Sequence, residues 1–144
     1  MKKVLFIGAV GSGKTTLCQK IIGEEVNYRK TQSAEYYSEL IDTPGEFLQY
    51  RHYQQFLQTL AVDVDNVALV MSVLDSQQVF PPKFAQSFPV PCIGIISKID
   101  LSCREEDINN ARYQLMEAGA RKIFEVSSIN NEGIDNLLNY LITK

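Results

Sequence analysis

A glycine-rich turn between an apolar segment and a helical one constrains this chain more than any other stretch. Residues 6–17 read FIGAVGSGKTTL and contain the spacing Gly-x-x-x-x-Gly-Lys-Thr, a full match to the Walker A pattern. The motif follows a predicted strand and opens a predicted helix, which is the context that gives such a match meaning. A glycine-rich turn that only fits a strand–helix junction is the alternative. The complete motif in its expected place favours phosphate binding.

The chemistry of a phosphate chain explains the residue types in the loop. Gly11 and Gly13 allow backbone conformations that turn N–H groups towards a β-phosphate. A helix predicted from Lys14 to about Ile22 adds the partial positive charge of its N-terminus. Lys14 would bridge the β- and γ-phosphates as a catalytic cation, and the Thr15 hydroxyl would bind Mg²⁺. The predicted phosphate-binding residues are Gly8, Gly11, Ser12, Gly13, Lys14, Thr15 and Thr16.

Apolar runs alternate with amphipathic segments along the rest of the chain. Strands are predicted over 2–8, 38–43, 66–74, 91–97 and 122–127. Helical faces are predicted for 53–61, 108–115 and 134–142, and the middle helix would begin at Ser102 or Cys103 and end at Gly119. Continuous apolar strands are typical of a parallel sheet covered by helices. We therefore predict an α/β fold, a three-layer sandwich forming a single domain over residues 1–144.

Composition narrows the classes of function. The chain has 144 residues, 45% of them hydrophobic, and a formal net charge of −3 without a basic block, so no nucleic-acid partner is expected. Cys18, Cys92 and Cys103 lack metal-ligand spacing and are interpreted as reduced thiols. The apolar run after the first lysines is too short for a signal peptide, and no segment has transmembrane length. These features predict a cytoplasmic protein without a membrane partner.

A second motif, LIDTPGE, ends the next predicted strand. Asp42 stands where a carboxylate would hold Mg²⁺ through water, and Gly45 would offer its backbone N–H to a γ-phosphate. Asp, Pro and Gly also favour ordinary turns. The position downstream of a Walker A loop favours the nucleotide-sensing interpretation.

A third group of residues predicts a base-binding site. Ligands bind at the carboxyl ends of strands in α/β sheets, and Asp100 there could accept two hydrogen bonds from a guanine edge. Lys98 could lie across the purine face, and backbone N–H groups after the last strand could meet the base oxygen. A solvated helix start is the alternative for the K-x-D triplet. The predicted base-binding residues are Ser97, Lys98, Asp100, Ser127, Ser128 and Ile129.

The order of these motifs resembles that of the Ras-like and translation-factor-related GTPases over nearly the whole chain. That resemblance implies a six-stranded, mostly parallel sheet with one antiparallel edge strand. The start MKKVLFIGAVGSGKTTL and the segment following ELIDTPGE resemble the EutP/PduV family of ethanolamine and propanediol utilisation. Membership would imply association with bacterial microcompartments, with shell or enzyme proteins as partners.

Departures from the superfamily pattern predict slow GTP hydrolysis. Ser97 replaces the usual Asn or Thr, and Ser128 replaces Ala. Val10 would crowd the approach of water and an arginine finger to the γ-phosphate. Glu46, where Ras-like proteins have a water-orienting Gln, would suffer charge repulsion or serve as a base. Gly11 replaces the Asn of potassium-stimulated relatives.

A segment between the first helix and the second strand, NYRKTQ, resembles a switch I loop. Thr31 would there reach Mg²⁺ and the γ-phosphate, and Arg29 could act as an arginine finger in cis, with a solvated loop charge as the alternative. Arg51 and His52 could reach the active site if the loop after the D-T-P-G motif folds inward, and an exposed histidine on the second helix is the favoured alternative for His52.

Three functions remain compatible with the sequence. The leading hypothesis is a GTP- and GDP-binding protein with Mg²⁺, with ATP as the alternative nucleotide, and slow hydrolysis. The second is phosphoryl transfer to acetate, an activity attributed to the EutP family. The third is a binding module that docks on a microcompartment and uses nucleotide only for its own stability.

Overall fold

Strands and helices alternate along the chain in the computed structural model, which describes residues 2–32, 39–43, 51–75, 79–102 and 104–142. The strands are β1 (Lys3–Gly8), β2 (Glu39–Asp42), β3 (Asn66–Ser72), β4 (Cys92–Ser97) and β5 (Ile123–Glu125). The helices are α1 (Lys14–Gln32), α2 (Arg51–Ala61), α3 (Glu105–Ala118) and α4 (Ile134–Ile142). Short 3₁₀ helices cover Phe84–Ser87 and Ile99–Leu101.

All neighbouring strands in the described sheet run parallel, in the order β2-β1-β3-β4-β5. The register pairs Phe6 with Asp42 and Ser72 with Ser97, so the carboxyl ends of the strands lie at the same end of the sheet. The predicted α/β class is confirmed. The sixth, antiparallel strand implied by the resemblance is not found among the described residues, and residues 33–38 lie outside them.

Apolar side chains form a separate core on each face of the sheet. Successive strand residues point to opposite faces, so Leu69 joins the core that contains Leu57 of α2 and Leu115 of α3. Its neighbour Val70 joins the core that contains Leu17 of α1 and Leu137 of α4. Helices therefore cover both faces, and the predicted three-layer arrangement is observed. This frame brings the loops that follow the strands to one end of the sheet.

Helix ends differ in part from those predicted. Helix α3 ends as predicted at Gly119, whose φ of 103° is a left-handed conformation that glycine adopts without strain. It begins at Glu105, after an extended Arg104, and the Ser102 hydroxyl donates to the Arg104 carbonyl without capping a helix N–H. Helix α1 continues to Gln32, well beyond the predicted end near residue 22.

The buried face of helix α2 agrees with the predicted one in part. Leu57 and Ala61 of α2 are buried as predicted, whereas Phe56, assigned to the same face, is 49% exposed. No helix in the described part of the chain combines the length and apolar character that a membrane span requires.

Candidate functional site

The loop between β1 and α1 has the backbone conformation that a phosphate cradle needs. Gly11 and Gly13 have φ values of 85° and 80°, in the left-handed region that other residues enter at a cost. A Cβ on Gly8 would lie 2.8 Å from the Val70 carbonyl oxygen, so only glycine fits there. The loop and the first turn of α1, residues 9–16, line a concave cavity of about 310 Å³.

Lys14, Thr15 and Asp42 are in mutual contact beside this cavity. The Lys14 side chain is only 6% exposed, and its ammonium donates to one carboxylate oxygen of Asp42 and to the Thr43 carbonyl. The Thr15 hydroxyl donates to the other carboxylate oxygen at 2.6 Å. Thr43 is held in turn by a 2.7 Å bond from its hydroxyl to the Phe6 carbonyl. The ends of β1 and β2 thus bring together a cation, a hydroxyl and a carboxylate.

The donor set fits a magnesium–phosphate group. Hydroxyl and carboxylate oxygens such as those of Thr15 and Asp42 are ligands that Mg²⁺ accepts. Ser12 lies in the loop with its hydroxyl buried and without a hydrogen-bond partner among the described residues. No cluster of three or more His, Cys, Asp or Glu side chains occurs in the described residues, so a metal there would depend on added oxygen ligands.

Ser97 at the end of β4 holds the phosphate loop in place. Its buried hydroxyl contacts the Ser12 carbonyl oxygen and lies 3.2 Å from the Met71 carbonyl oxygen. A hydroxyl has one proton, so it donates to one of these carbonyls at a time. Sequence reasoning assigned Ser97 to base binding, and the structure shows this serine tethering the loop.

Lys98 and Asp100 follow β4 on the same side as the loop. Lys98 has a left-handed backbone, with φ of 61°, and its ammonium donates to the Gly11 carbonyl at 2.6 Å. The Asp100 carboxylate accepts a 2.7 Å hydrogen bond from the hydroxyl of Ser127, a fully buried residue. The loop after β5 thereby orients the carboxylate after β4.

The backbone of the loop after β5 corrects one prediction. The Ser127 N–H donates to the Glu132 carbonyl at 2.9 Å, so it is not directed at a base oxygen. Its side chain acts instead, by bonding to Asp100 and accepting from the Asn130 N–H at 3.1 Å. Ser128 is half-buried, and Ile129 is 80% exposed at the tip of the turn.

Helix α1 carries two of the predicted active-site residues away from the cradle. Arg29 and Thr31 belong to its last turns, where a switch loop was predicted. Thr31 stands sixteen positions after Thr15 in the sequence. At the helical rise, this places its backbone about 24 Å further along the axis. The structure therefore does not bring Thr31 to the metal position or Arg29 to the phosphate loop.

Three further positions were singled out from the sequence as neighbours of the γ-phosphate. Gly45 and Glu46 fall in residues 44–50, outside the described part of the chain. Val10 lines the cavity and is 64% exposed, so its side chain stands at the rim of the cradle.

Comparison with known proteins identifies the family. The model of the PduV-EutP family, described as "Ethanolamine utilisation - propanediol utilisation", matches residues 1–143. This chain belongs to the PduV-EutP family. It is 35% identical to "Propanediol utilization protein PduV" of Citrobacter freundii over 144 residues, which cover 100% of this chain and 95% of that protein. It is 34% identical to "Probable acetate kinase EutP" of Salmonella typhimurium, covering 98% and 89% of the two chains.

A solved structure supports the fold of this PduV-EutP member. Translation elongation factor SelB of Methanococcus maripaludis, solved in complex with the GTP analogue GppNHp, has a TM-score of 0.66 at 18% identity. The match covers 98% of this chain and 33% of SelB. At that identity the likeness establishes a shared fold.

One buried thiol and one half-buried glycine of this PduV-EutP chain had no role assigned from the sequence. Burial raises the pKa of Cys18 to about 12; the Asp42 charge adds to the rise, and Lys14 opposes it. Gly133 has φ of 70°, and a Cβ there would lie 1.9 Å from the Glu125 carbonyl oxygen. The NNEG run before α4 is the only sequence signal for this turn.

Proposed function

We propose that this protein binds guanine nucleotides with Mg²⁺ and hydrolyses GTP slowly, in ethanolamine or propanediol utilisation. One observation carries the proposal: Lys98 contacts the phosphate loop at Gly11, while Asp100, two residues later, is oriented by Ser127. A single segment therefore links the place for phosphates to an oriented carboxylate. This is the arrangement that a nucleotide with a guanine base requires.

The phosphate end would use the cradle and its cation. Backbone N–H groups of the loop and the N-terminus of α1 favour an anion. Lys14 would exchange its bonds to Asp42 and Thr43 for phosphate oxygens. Thr15 directly, and Asp42 through water, would hold Mg²⁺, which neutralises charge on the phosphates.

The base end would select guanine through Asp100. A carboxylate offers only acceptors, which match the two N–H donors on one edge of guanine, whereas adenine presents no such pair. The Lys98 stem would cover the purine face, and the N–H groups of Ser128 and Ile129 would face the base oxygen.

Slow turnover is proposed from what surrounds the γ-phosphate position. A rim Val10 would hinder a second protein from inserting an arginine, whose contribution to the rate is about 10³–10⁵. Glu46, where Ras-like proteins have Gln, would bring a carboxylate near the negatively charged triphosphate and repel it. Gly45 would contact the γ-phosphate through its backbone N–H. Arg29 and Thr31 have no role in this proposal.

Phosphoryl transfer to acetate and docking without catalysis are distinct outcomes of one experiment. The protein is incubated with γ-labelled GTP or ATP and Mg²⁺, with and without acetate, and products are separated. We expect slow release of labelled phosphate from GTP, little from ATP, and none in Lys14→Ala. Label on acetate would establish a kinase, and tight retention without turnover would support a docking module. Equal use and binding of ATP and GTP would refute the guanine assignment.

The guanine assignment is also tested by the loss of GDP affinity in Asp100→Asn, which needs a matched carboxylate variant as a control. Asp63 is exposed in the turn before β3, at the amino ends of the strands, whereas Asp100 lies at their carboxyl ends. Asp63→Asn removes the same charge as Asp100→Asn. Because Asp63 lies away from the base-binding segment, this variant should leave GDP affinity unchanged.

A further inference from the structure

A large concave surface lies away from the nucleotide site. It is a groove of about 780 Å³ between strand β5 and helix α4, with Lys2 and Lys122 at one end and Glu125 and Gly133 at the other. We call it the β5–α4 groove. None of its lining residues belongs to the phosphate cradle or to the base-binding segment.

The cationic end of the groove carries two ammonium groups around one aromatic ring. The Lys2 ammonium lies 3.6 Å from the centroid of the Tyr140 ring and donates to the Tyr140 carbonyl at 2.7 Å. The Lys122 ammonium lies 5.4 Å from the same centroid and 5.3 Å from that of Phe124. These contacts fix two positive charges against an apolar floor.

The negative charges nearby do not neutralise this end. Glu125, the acidic residue that lines the groove, is paired with Arg112 of α3. Asp65 attracts the Lys2 charge and offsets it in part, and its carboxylate also accepts the Lys3 N–H at 2.8 Å. Burial lowers the pKa of Lys2, Asp65 raises it, and the neighbouring charge of Lys122 lowers it further. In the described residues Lys122 has no acidic partner, so the groove has an excess of positive charge.

The walls of the groove suit an extended chain. Strand β5 is the last strand of the described sheet, and its outer side pairs with no other described strand. Its three residues span about 10 Å, and the stretch from Gly133, just before α4, to Tyr140 has a similar length of about 10 Å. Asn136 and Asn139, three positions apart on α4, supply amide donors and acceptors along the opposite wall.

We propose that the β5–α4 groove binds an extended acidic segment of a partner protein. The segment would lie along the outer side of β5 beside Ile123, and one of its carboxylates would sit between Lys2 and Lys122. Strand addition supplies main-chain hydrogen bonds, and the two lysines supply selectivity for acidic side chains. The proposal does not depend on nucleotide binding.

The test measures fluorescence anisotropy of a labelled pentapeptide, Glu-Val-Glu-Val-Glu, with the full chain at low ionic strength. We expect saturable binding that weakens with added salt, and weaker binding of the matched Gln-Val-Gln-Val-Gln peptide. Lys122→Gln and Lys2→Gln should each weaken binding of the acidic peptide about fivefold, as expected for a partly exposed charge contact. Lys122→Glu should abolish it, and GDP affinity should not change in any of these variants.

Arg121 provides the matched control. It is exposed, one position before Lys122, and lines a different cavity beside Cys92 and Gly119. Arg121→Gln should bind the acidic peptide as the wild type does, and amide shifts on peptide addition should centre on Ile123, Asn136 and Asn139. An equal loss in Arg121→Gln, shifts centred elsewhere, or no saturation at millimolar peptide would overturn the proposal. Equally effective competition by glutarate would indicate a small-anion site and would also overturn it.

Discussion

The hydrogen bond between Ser127 and Asp100 gives the guanine proposal a test in measured GDP affinities. The 2.7 Å hydrogen bond runs from a buried hydroxyl to a half-buried carboxylate, so it restricts where the carboxylate oxygens point. Asp100→Asn keeps the shape and replaces one acceptor with a donor. Ser127→Ala keeps the carboxylate and removes only what orients it. The two variants separate the chemistry of the contact from its positioning.

The expected losses follow from hydrogen-bond energies. A bond to a charged group contributes about 1.5–3 kcal/mol, and Asp100→Asn would weaken one such bond to guanine and set a donor against a donor at the other. The summed loss of about 3–4 kcal/mol corresponds to GDP affinity lower by about 10²–10³. Ser127→Ala should cost about 1.4 kcal/mol, or about tenfold, because the carboxylate must be ordered during binding.

The double variant then gives the decisive comparison. Once Asp100 is Asn, Ser127→Ala should weaken GDP binding by less than about threefold, because the orienting bond no longer serves a carboxylate. Binding of fluorescent GDP and ADP analogues measures all four proteins, with thermal unfolding as a check that each is folded. The reasoning is wrong if Asp100→Asn leaves the ratio of GDP to ADP affinity unchanged. It is also wrong if Ser127→Ala costs the same in both backgrounds.

The remaining predictions concern stability and the loop tether. Gly133→Ala should lower the free energy of unfolding, measured in urea titrations, by about 2–5 kcal/mol, because the added Cβ would meet a carbonyl of β5. Gly23→Ala is the control: Gly23 lies inside a helix with open space around it, so this variant should be neutral or stabilising. The raised pKa of Cys18 means that the folded state binds more protons than the unfolded state above pH 9, so stability falls there as pH rises. Cys18→Ala should remove up to about 1.4 kcal/mol per pH unit of that slope, and an unchanged slope would contradict the assignment. Ser97→Ala should leave a buried loop carbonyl unpaired, lower stability by about 1–3 kcal/mol and speed GDP release; unchanged release would argue against the tether.

Much of the fold could be read from local pattern because parallel strands buried on both faces give continuous apolar runs. Each observed strand lies within its predicted range, and α3 ends at the predicted Gly119. Helix α1 was the exception. After Ile22 no apolar period marks a continuing helix, so its extent to Gln32 could not be read from the pattern.

The candidate site was predicted in its residue types and only partly in their roles. The glycine spacing, Lys14 and Thr15 are local in the chain, and backbone conformations at Gly11 and Gly13 agree with the motif. The partner of Ser97 was not predicted, because Ser12 is 85 positions away and only the sheet brings the two together.

The sequence by itself determined that a phosphate loop stands between a buried strand and a helix, since that motif is contiguous and its glycines serve their own backbone. The tertiary structure decided which side chains cooperate. Asp42 meets Lys14 and Thr15 because β2 pairs with β1 in parallel register, and Ser127 orients Asp100 because β5 pairs with β4. Contacts between residues far apart in the chain depend on strand order and register, which no local pattern of residues specifies.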